Sequence, residues 1–182
     1  AGWLALGAGM AGGADVILIP EIPYDIEIVA QSILNRARSG KPFSIVAIAE
    51  GALTKKANEL IQNKKMEVQE AQGKKARTKL KDELRALDKK LTSNTVYLAR
   101  QLEDVTGLEA RITILGHLQR GGSPSAGDRL LATRLGTACA HHIEKNEFGH
   151  LVAVRGNETT LVPLEEVVGK IKMVPPQHDW IK

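Results

Sequence analysis

The sequence has 182 residues, of which 43% are hydrophobic and only 3% aromatic, and its formal net charge is +4. This length is enough for a sizeable apolar core, but few aromatic side chains are present on which the bases of single-stranded nucleic acid could stack. No apolar run reaches the roughly 18 residues of a membrane span, and the single cysteine excludes an internal disulfide, which fits a reducing, cytoplasmic compartment.

The first 51 residues alternate between helical and strand patterns. The predicted elements are a helix over 2–11, a buried strand over 15–20, a helix from an Asp25 N-cap to Gly40, and a buried strand over 43–51. The glycines at 7, 9 and 12 have the spacing of a dinucleotide-binding fingerprint, but they lie in a helix that precedes its strand. Close helix packing therefore explains these small residues better than a nucleotide does.

The next segment, residues 52–92, differs in composition from the rest. It holds 12 Lys+Arg and 6 Asp+Glu, a net charge of +6, so the remainder of the chain has a net charge of −2. Gly73 is expected to separate two helices, the second of which carries leucines at 4-3-4 spacing (Leu80, Leu84, Leu87 and Leu91). We predict a helical hairpin that lies on the domain, although the leucine stripe is also compatible with a partner helix or a second copy.

The remaining residues return to the alternating pattern. They predict a helix over 93–107 capped by Ser93 or Asn94, a buried strand over 111–115, a long helix within 124–149, and two short strands around a turn at Gly156-Asn157, followed by a final helix. Asp128 and Arg129 have the pattern of a helix cap and a surface pair. His141 and His142 have no acidic or cysteine partner at ligand spacing and are interpreted as exposed side chains.

Glu50 stands at the carboxyl end of the second predicted strand. A carboxylate there costs free energy unless it is paired or faces a ligand. In open α/β sheets, ligands bind at the carboxyl ends of the strands. A salt bridge and a hydrogen bond to a sugar hydroxyl are both compatible with this position.

The stretch RITILGHLQRGGSP, residues 111–124, runs from an apolar strand into a polar loop. Arg120 offers a planar fork suited to phosphate, and His117 adds a hydrogen-bond donor near neutral pH, although both could simply cap the loop. Arg111 begins the strand and is therefore expected at its opposite end. If Arg111 binds the same kind of ligand, it should reach a site in a neighbouring subunit.

These residues resemble the 6-phosphofructokinase family. The family pattern is Arg111-x4-Gly116-His117-Leu118-Gln119-Arg120-Gly121-Gly122-x5-Asp128-Arg129, and it is matched throughout. GWLALGAGMAGGADVILIPE resembles the stretch after the family's Met-Gly-Arg substrate motif, IVAIAEG its strand ending in a substrate glutamate, and HDW a motif near its end. The resemblance covers nearly the whole chain except residues 52–92.

The resemblance implies a fold and a domain organisation. The fold is an α/β three-layer sandwich with a mostly parallel sheet and an inserted charged helical segment. Residues 1–51 and 93–120 would form the lobe on the substrate and effector side, with 52–92 inserted. Residues 121–170 would return to the nucleotide-side lobe, and 171–182 would be a tail on the substrate-side lobe.

The resemblance also implies an activity, the transfer of a phosphoryl group from ATP, or from pyrophosphate, to fructose 6-phosphate with Mg²⁺ in glycolysis. Glu50 would hydrogen-bond the sugar, His117 and Arg120 would bind fructose 6-phosphate, and Arg111 would reach the 6-phosphate in a neighbouring subunit of a homotetramer or dimer. Gly13, Asp15 and Lys41 fall where the bacterial enzymes bind a nucleotide or phosphoenolpyruvate effector. The family usually has Glu at the position of Asp15 and a basic run around Lys41, so regulation is expected to be altered or lost.

The family's nucleotide loop, catalytic aspartate and Met-Gly-Arg motif have no counterpart in this sequence. We therefore expect a C-terminal half with no catalytic or metal-binding residue of its own, which is inactive alone. The phosphoryl donor stays open between ATP and pyrophosphate. An interpretation of a different class is a non-catalytic phosphate-binding module whose basic helices dock a partner; the lack of aromatic residues makes nucleic acid the weaker partner.

Overall fold

The computed structural model describes residues 2–91 and 95–181, so the predicted cap residues Ser93 and Asn94 lie outside it. The chain divides into two compact units: residues Ala1–Thr113 with Lys172–Lys182 form the first, and Ile114–Ile171 form the second. Whether the units correspond to the two lobes expected from the family stays a prediction. Among the described residues, no helix combines the length and apolar character needed to cross a membrane.

The first unit contains a two-stranded parallel sheet and five helices. In chain order these are α1 (Trp3–Ala11), β1 (Val16–Leu18), α2 (Ile26–Arg38), β2 (Val46–Ile48), α3 (Lys55–Glu70), α4 (Lys74–Leu91) and α5 (Thr95–Thr106). In the parallel pair, Val16 lies opposite Val46 and Leu18 opposite Ile48. The two helices predicted in residues 2–51 are confirmed. Both predicted strands are present but have only three residues each, and in β1 only Leu18 is buried.

The core of the first unit lies on both faces of this sheet. Successive side chains of a strand point to opposite faces, so Leu18 joins one cluster and Ile19 the other. The first cluster packs β1 against α2 and α5 and contains the buried residues Leu18, Val29, Ala30, Ala52, Leu98 and Leu102. The second contains Leu6 of α1, Ile19 and Val174 of the C-terminal tail. Helices on both faces of a parallel sheet make this an α/β arrangement of three layers. β2 differs from its prediction, because its residues are half-buried rather than buried.

Close packing of α1 on the sheet depends on Gly9. A Cβ atom at Gly9 would lie 2.8 Å from Cδ1 of Ile17 and 3.2 Å from Cβ of Ala47. Close packing of the helix on the sheet therefore explains Gly9, as predicted. The glycines at 7, 9 and 12 lie before β1 and do not follow a strand, as a dinucleotide-binding fingerprint would require.

The inserted segment forms the predicted helical hairpin. Gly73 has a φ of 91° and separates α3 from α4. The two helices pack together, and the Nζ atom of Lys64 lies 2.7 Å from a carboxylate oxygen of Glu83. The hairpin begins beside the sheet core, where the Lys55 backbone N–H donates to the Tyr24 carbonyl.

The second unit contains the rest of the regular structure. It consists of a 3-10 helix (Gly116–Arg120), α6 (Ala126–Glu144), β3 (His150–Arg155), β4 (Glu158–Pro163) and α7 (Leu164–Val167). β3 and β4 pair antiparallel around the predicted Gly156-Asn157 turn. The Ser125 hydroxyl accepts from the Asp128 N–H while the Asp128 carboxylate accepts from the Ser125 N–H, so Asp128 caps α6 as predicted.

The predicted buried strand over 111–115 is wrong for this chain. Within the described residues, no neighbouring strand pairs with this stretch, and Ile112, Ile114 and Leu115 are exposed. A strand is stable only when its backbone N–H and C=O groups find a partner strand. The apolar pattern alone cannot supply that partner.

Candidate functional site

Glu50 lies on a tight turn at the carboxyl edge of the parallel sheet. The Ala49 N–H donates to the Leu18 carbonyl (2.9 Å), and the Ala52 N–H closes the turn on the Ala49 carbonyl (2.9 Å). A Cβ atom at Gly51 would lie 3.1 Å from Cγ of Pro20, so this turn packs against the chain that leaves β1. Glu50 is exposed between these two anchored residues. Its predicted position at a strand end is confirmed, and a carboxylate there can accept hydrogen bonds from a ligand.

A second carboxylate at this edge, Glu21, has a structural role that sequence reasoning missed. Its oxygens accept from the backbone N–H groups of Gly2 (3.0 and 3.1 Å) and Val174 (3.0 Å). Burial acts to raise the pKa of Glu21, but the N–H groups of Val174 and Gly2 together hold the pKa below its usual value. Glu21 thus joins the two ends of the first unit. Its only signal in the sequence is a carboxylate directly after an apolar strand, the same signal as for Glu50.

Of the three predicted effector residues, Gly13 and Asp15 lie between α1 and β1, and Lys41 lies in the loop between α2 and β2. Gly13 has a φ of 69°, and Lys41 is exposed. Asp15 is held by two donors: its Oδ2 accepts from the Ile45 N–H (2.8 Å), and its Oδ1 lies 3.0 Å from Nη1 of Arg36. Arg36, which sequence reasoning missed, also donates from Nε to the Phe43 carbonyl (3.2 Å). The carboxylate and the guanidinium together fix the loop that carries Lys41.

Arg111 belongs to the first unit, whereas His117 and Arg120 belong to the second. The Arg111 side chain is 87% exposed, and its Nε lies 3.2 Å from a carboxylate oxygen of Glu109. Exposed pairs of this kind contribute about 0–1 kcal/mol, so the guanidinium can exchange its partner for a phosphate. Because no strand forms over 111–115, the prediction that Arg111 serves a neighbouring subunit now depends on the family resemblance alone.

His117 lies in the 3-10 helix, where the sequence suggested a flexible loop. This helix begins at Gly116 and is followed by Gly122, and the φ angles of these residues, 52° and 102°, favour glycine. His117 is exposed, and the backbone of Arg120 closes the helix, whereas the Arg120 side chain lies outside the described atoms. The short helix holds His117 and the Arg120 backbone three residues apart.

The two histidines near the end of α6 are only partly as predicted. His141 is exposed as predicted, but its Nδ1 lies 3.7 Å from a carboxylate oxygen of Glu144. His142 is half-buried, and its Nδ1 pairs with the Glu147 carboxylate, so both histidines have an acidic partner. Asn146, with a φ of 59°, turns the chain back after the helix and brings Glu147 to the ring. The hydrogen bond from His142 lowers the pKa of Glu147.

The described residues contain no group of three or more His, Cys, Asp or Glu side chains arranged to hold a metal ion. Proteins usually hold Mg²⁺ through one or two carboxylates together with waters and substrate phosphates. No chemical step is assigned to a metal on this chain.

The family model described as phosphofructokinase matches residues 1–143. The ATP-dependent 6-phosphofructokinase of Propionibacterium freudenreichii is 49% identical over the whole chain, which spans 49% of that protein. The pyrophosphate–fructose 6-phosphate 1-phosphotransferase of Streptomyces coelicolor is 41% identical over 97% of the chain, which spans 46% of it.

Among solved structures, a pyrophosphate-dependent phosphofructokinase from Marinobacter aquaeolei matches with a TM-score of 0.69 and 20% identity. The match covers the whole chain and 41% of that structure, and it confirms the predicted phosphofructokinase-type α/β fold. The chain spans about half the length of the curated relatives named above. With a family model that matches 143 consecutive residues, the chain belongs to the phosphofructokinase family.

Proposed function

We propose that this chain is the C-terminal, sugar-phosphate-binding half of a 6-phosphofructokinase, which phosphorylates fructose 6-phosphate to fructose 1,6-bisphosphate in glycolysis. The observation that carries the proposal is Glu50, an exposed carboxylate directly after a parallel strand in a chain of this family. Its turn is anchored on both sides by backbone hydrogen bonds, so the backbone that carries the carboxylate is held in place before the sugar arrives. Preorganisation of this kind lowers the entropy cost of binding.

The proposed roles follow the chemistry of each side chain. Glu50 accepts hydrogen bonds from sugar hydroxyls, and such charge-assisted bonds are about twice as strong as neutral ones. His117 and Arg120 bind fructose 6-phosphate as donors. Arg111 gives up its exposed pair with Glu109 and reaches the 6-phosphate bound to a neighbouring subunit. The functional assembly would then be a homo-oligomer, a tetramer or a dimer, in the cytoplasm.

The isolated chain should not catalyse phosphoryl transfer. The sugar hydroxyl needs a general base, and the residues proposed at this site are assigned to binding. ATP and pyrophosphate are both candidate phosphoryl donors, because the chain is similar to an ATP-dependent relative and to a pyrophosphate-dependent one. A coupled assay of the purified chain with fructose 6-phosphate, Mg²⁺ and either donor should give no sugar bisphosphate. Turnover with either donor would contradict this part of the proposal.

A regulatory role is proposed for the loop that carries Lys41, with Gly13 and Asp15 beside it. A nucleotide or phosphoenolpyruvate that binds there must compete with Arg36 and Ile45 for Asp15. Thermal shifts with ADP or phosphoenolpyruvate test this. The effector should raise the melting temperature of the control variant Lys56→Gln but not that of Lys41→Gln. Equal thermal shifts in the two variants would exclude Lys41 from the effector site.

The proposal is tested by calorimetric titration of the chain with fructose 6-phosphate and, separately, with fructose. The account expects fructose 6-phosphate to bind and fructose to bind at least tenfold more weakly, since the phosphate contacts are lost. If the chain did not bind fructose 6-phosphate but bound an oligonucleotide with strong salt dependence, that result would instead favour the interpretation as a non-catalytic binding module.

A further inference from the structure

The start of α4 carries an unusual concentration of positive charge. Residues 74–81 contain five Lys or Arg and no Asp or Glu. Lys74, Arg77 and Lys81, here called the α4 basic stripe, line a cavity of about 420 Å³ together with Ala71, Gly73 and Thr78. Their spacing of three and four residues places them on one face of the helix, over about 10 Å of its axis.

Within the described part of the chain, none of the three cations of the stripe forms a salt bridge. Three carboxylates of the hairpin pair with other cations: Glu67 and Glu83 with Lys64, and Asp82 with Arg85. The hydrogen bond from Lys64, assisted by the charges of Lys64 and Lys79, lowers the pKa of Glu83, so this carboxylate is already satisfied by other cations.

This arrangement works against helix stability. The N-terminal end of a helix carries partial positive charge, so cations in the first turns are unfavourable and acidic side chains are favoured there. The first turn of α4 has no acidic residue. Neighbouring like charges on one face add further repulsion. A bound anion would relieve both effects at once.

The shape of the stripe indicates what kind of anion fits. The helix rises about 10 Å from Lys74 to Lys81, so a chain of linked phosphates can follow the stripe, whereas a single phosphate contacts all three cations only if the side chains converge on it. Residues 52–92 contain no aromatic side chain for stacking bases, which disfavours a single-stranded nucleic acid. We propose that Lys74, Arg77 and Lys81 bind a phosphate chain of at least three phosphates, the group shared by nucleoside triphosphates and inorganic polyphosphate. The site uses none of the residues proposed to bind the sugar phosphate, and it does not depend on the proposed function.

The test is calorimetric titration of the full chain with tripolyphosphate, ATP and orthophosphate at about 50 and 200 mM salt. The key variant is the triple Lys74→Gln, Arg77→Gln, Lys81→Gln. The matched control, Lys56→Gln with Lys65→Gln and Lys89→Gln, removes the same charge from other parts of the hairpin. The key variant should weaken tripolyphosphate binding at least tenfold and the control less than threefold, and added salt should weaken binding to the wild type.

Thermal unfolding separates lost binding from lost folding. Because the cations are unfavourable where they stand, the key variant should melt no lower than the wild type, and tripolyphosphate should stabilise only the wild type and the control. Binding of tripolyphosphate with or without ATP supports the proposal and identifies the source of the phosphates. Three results would overturn it: equal losses in both variants, orthophosphate binding as tightly as tripolyphosphate, or binding of ATP or an oligonucleotide but not tripolyphosphate.

Discussion

Two glycines of α1 should respond differently to the same substitution. At Gly7 a new Cβ atom would meet only Cζ3 of Trp180 at 3.8 Å, an ordinary contact, whereas at Gly9 it would lie 2.8 Å from Ile17 and 3.2 Å from Ala47. Both changes gain about 1 kcal/mol of helix propensity, since alanine is the better helix former. Overpacking at Gly9 costs about 1–3 kcal/mol, so Gly9→Ala should be less stable than Gly7→Ala by about that amount.

Urea unfolding followed by tryptophan fluorescence measures this difference. Both tryptophans, Trp3 and Trp180, lie in the first unit, so the signal reports the unit that contains α1. Gly7→Ala should unfold at a higher urea concentration than the wild type, and Gly9→Ala at a lower one than Gly7→Ala. If the two variants were equally stabilised, the close approach of α1 to the sheet would be refuted.

Two further substitutions test the long-range hydrogen bonds of the first unit. Glu21→Gln should lower the free energy of unfolding by about 1–3 kcal/mol near pH 7, because a charged acceptor of two backbone N–H groups is lost. Since folding lowers the pKa of Glu21, this stabilisation is full above about pH 5 and disappears as the pH falls, so the wild type and Glu21→Gln should converge in acid. A difference that grew in acid would contradict the lowered pKa. Asp15→Asn should lower the free energy of unfolding by about 1–2 kcal/mol, and a double-mutant cycle with Arg36→Gln should show a coupling energy between the two side chains. If the two substitutions acted independently, the ion pair would not stabilise the loop between α2 and β2.

The elements with strong local signals are the ones that the sequence predicts well. Asp25 caps α2 through its own side chain, and Gly73 separates α3 from α4, because capping and left-handed backbone are local preferences. The position of Glu50 after a strand is also predicted well, because the apolar run that precedes it is a local signal. Its role and those of His117 and Arg120 stay predictions.

The contacts that sequence reasoning missed are distant in the chain or depend on a partner. The Val174 N–H donates to Glu21, which is 153 residues earlier in the sequence, and no local sequence pattern predicts such a hydrogen bond. The run at 111–115 has the apolar pattern of a buried strand, but no described strand pairs with it. Glu147 reaches His142 only because the chain reverses at Asn146, beyond the end of the helix.

The central claim is that Glu50 holds the sugar of fructose 6-phosphate. Its most direct test is the dissociation constant of fructose 6-phosphate for Glu50→Gln, compared with the wild type and with Glu59→Gln, an exposed glutamate of α3 that loses the same charge. The account predicts that Glu50→Gln binds about 10- to 100-fold more weakly, as expected for a charge-assisted hydrogen bond, while Glu59→Gln binds like the wild type. Equal affinity for all three proteins would contradict the account.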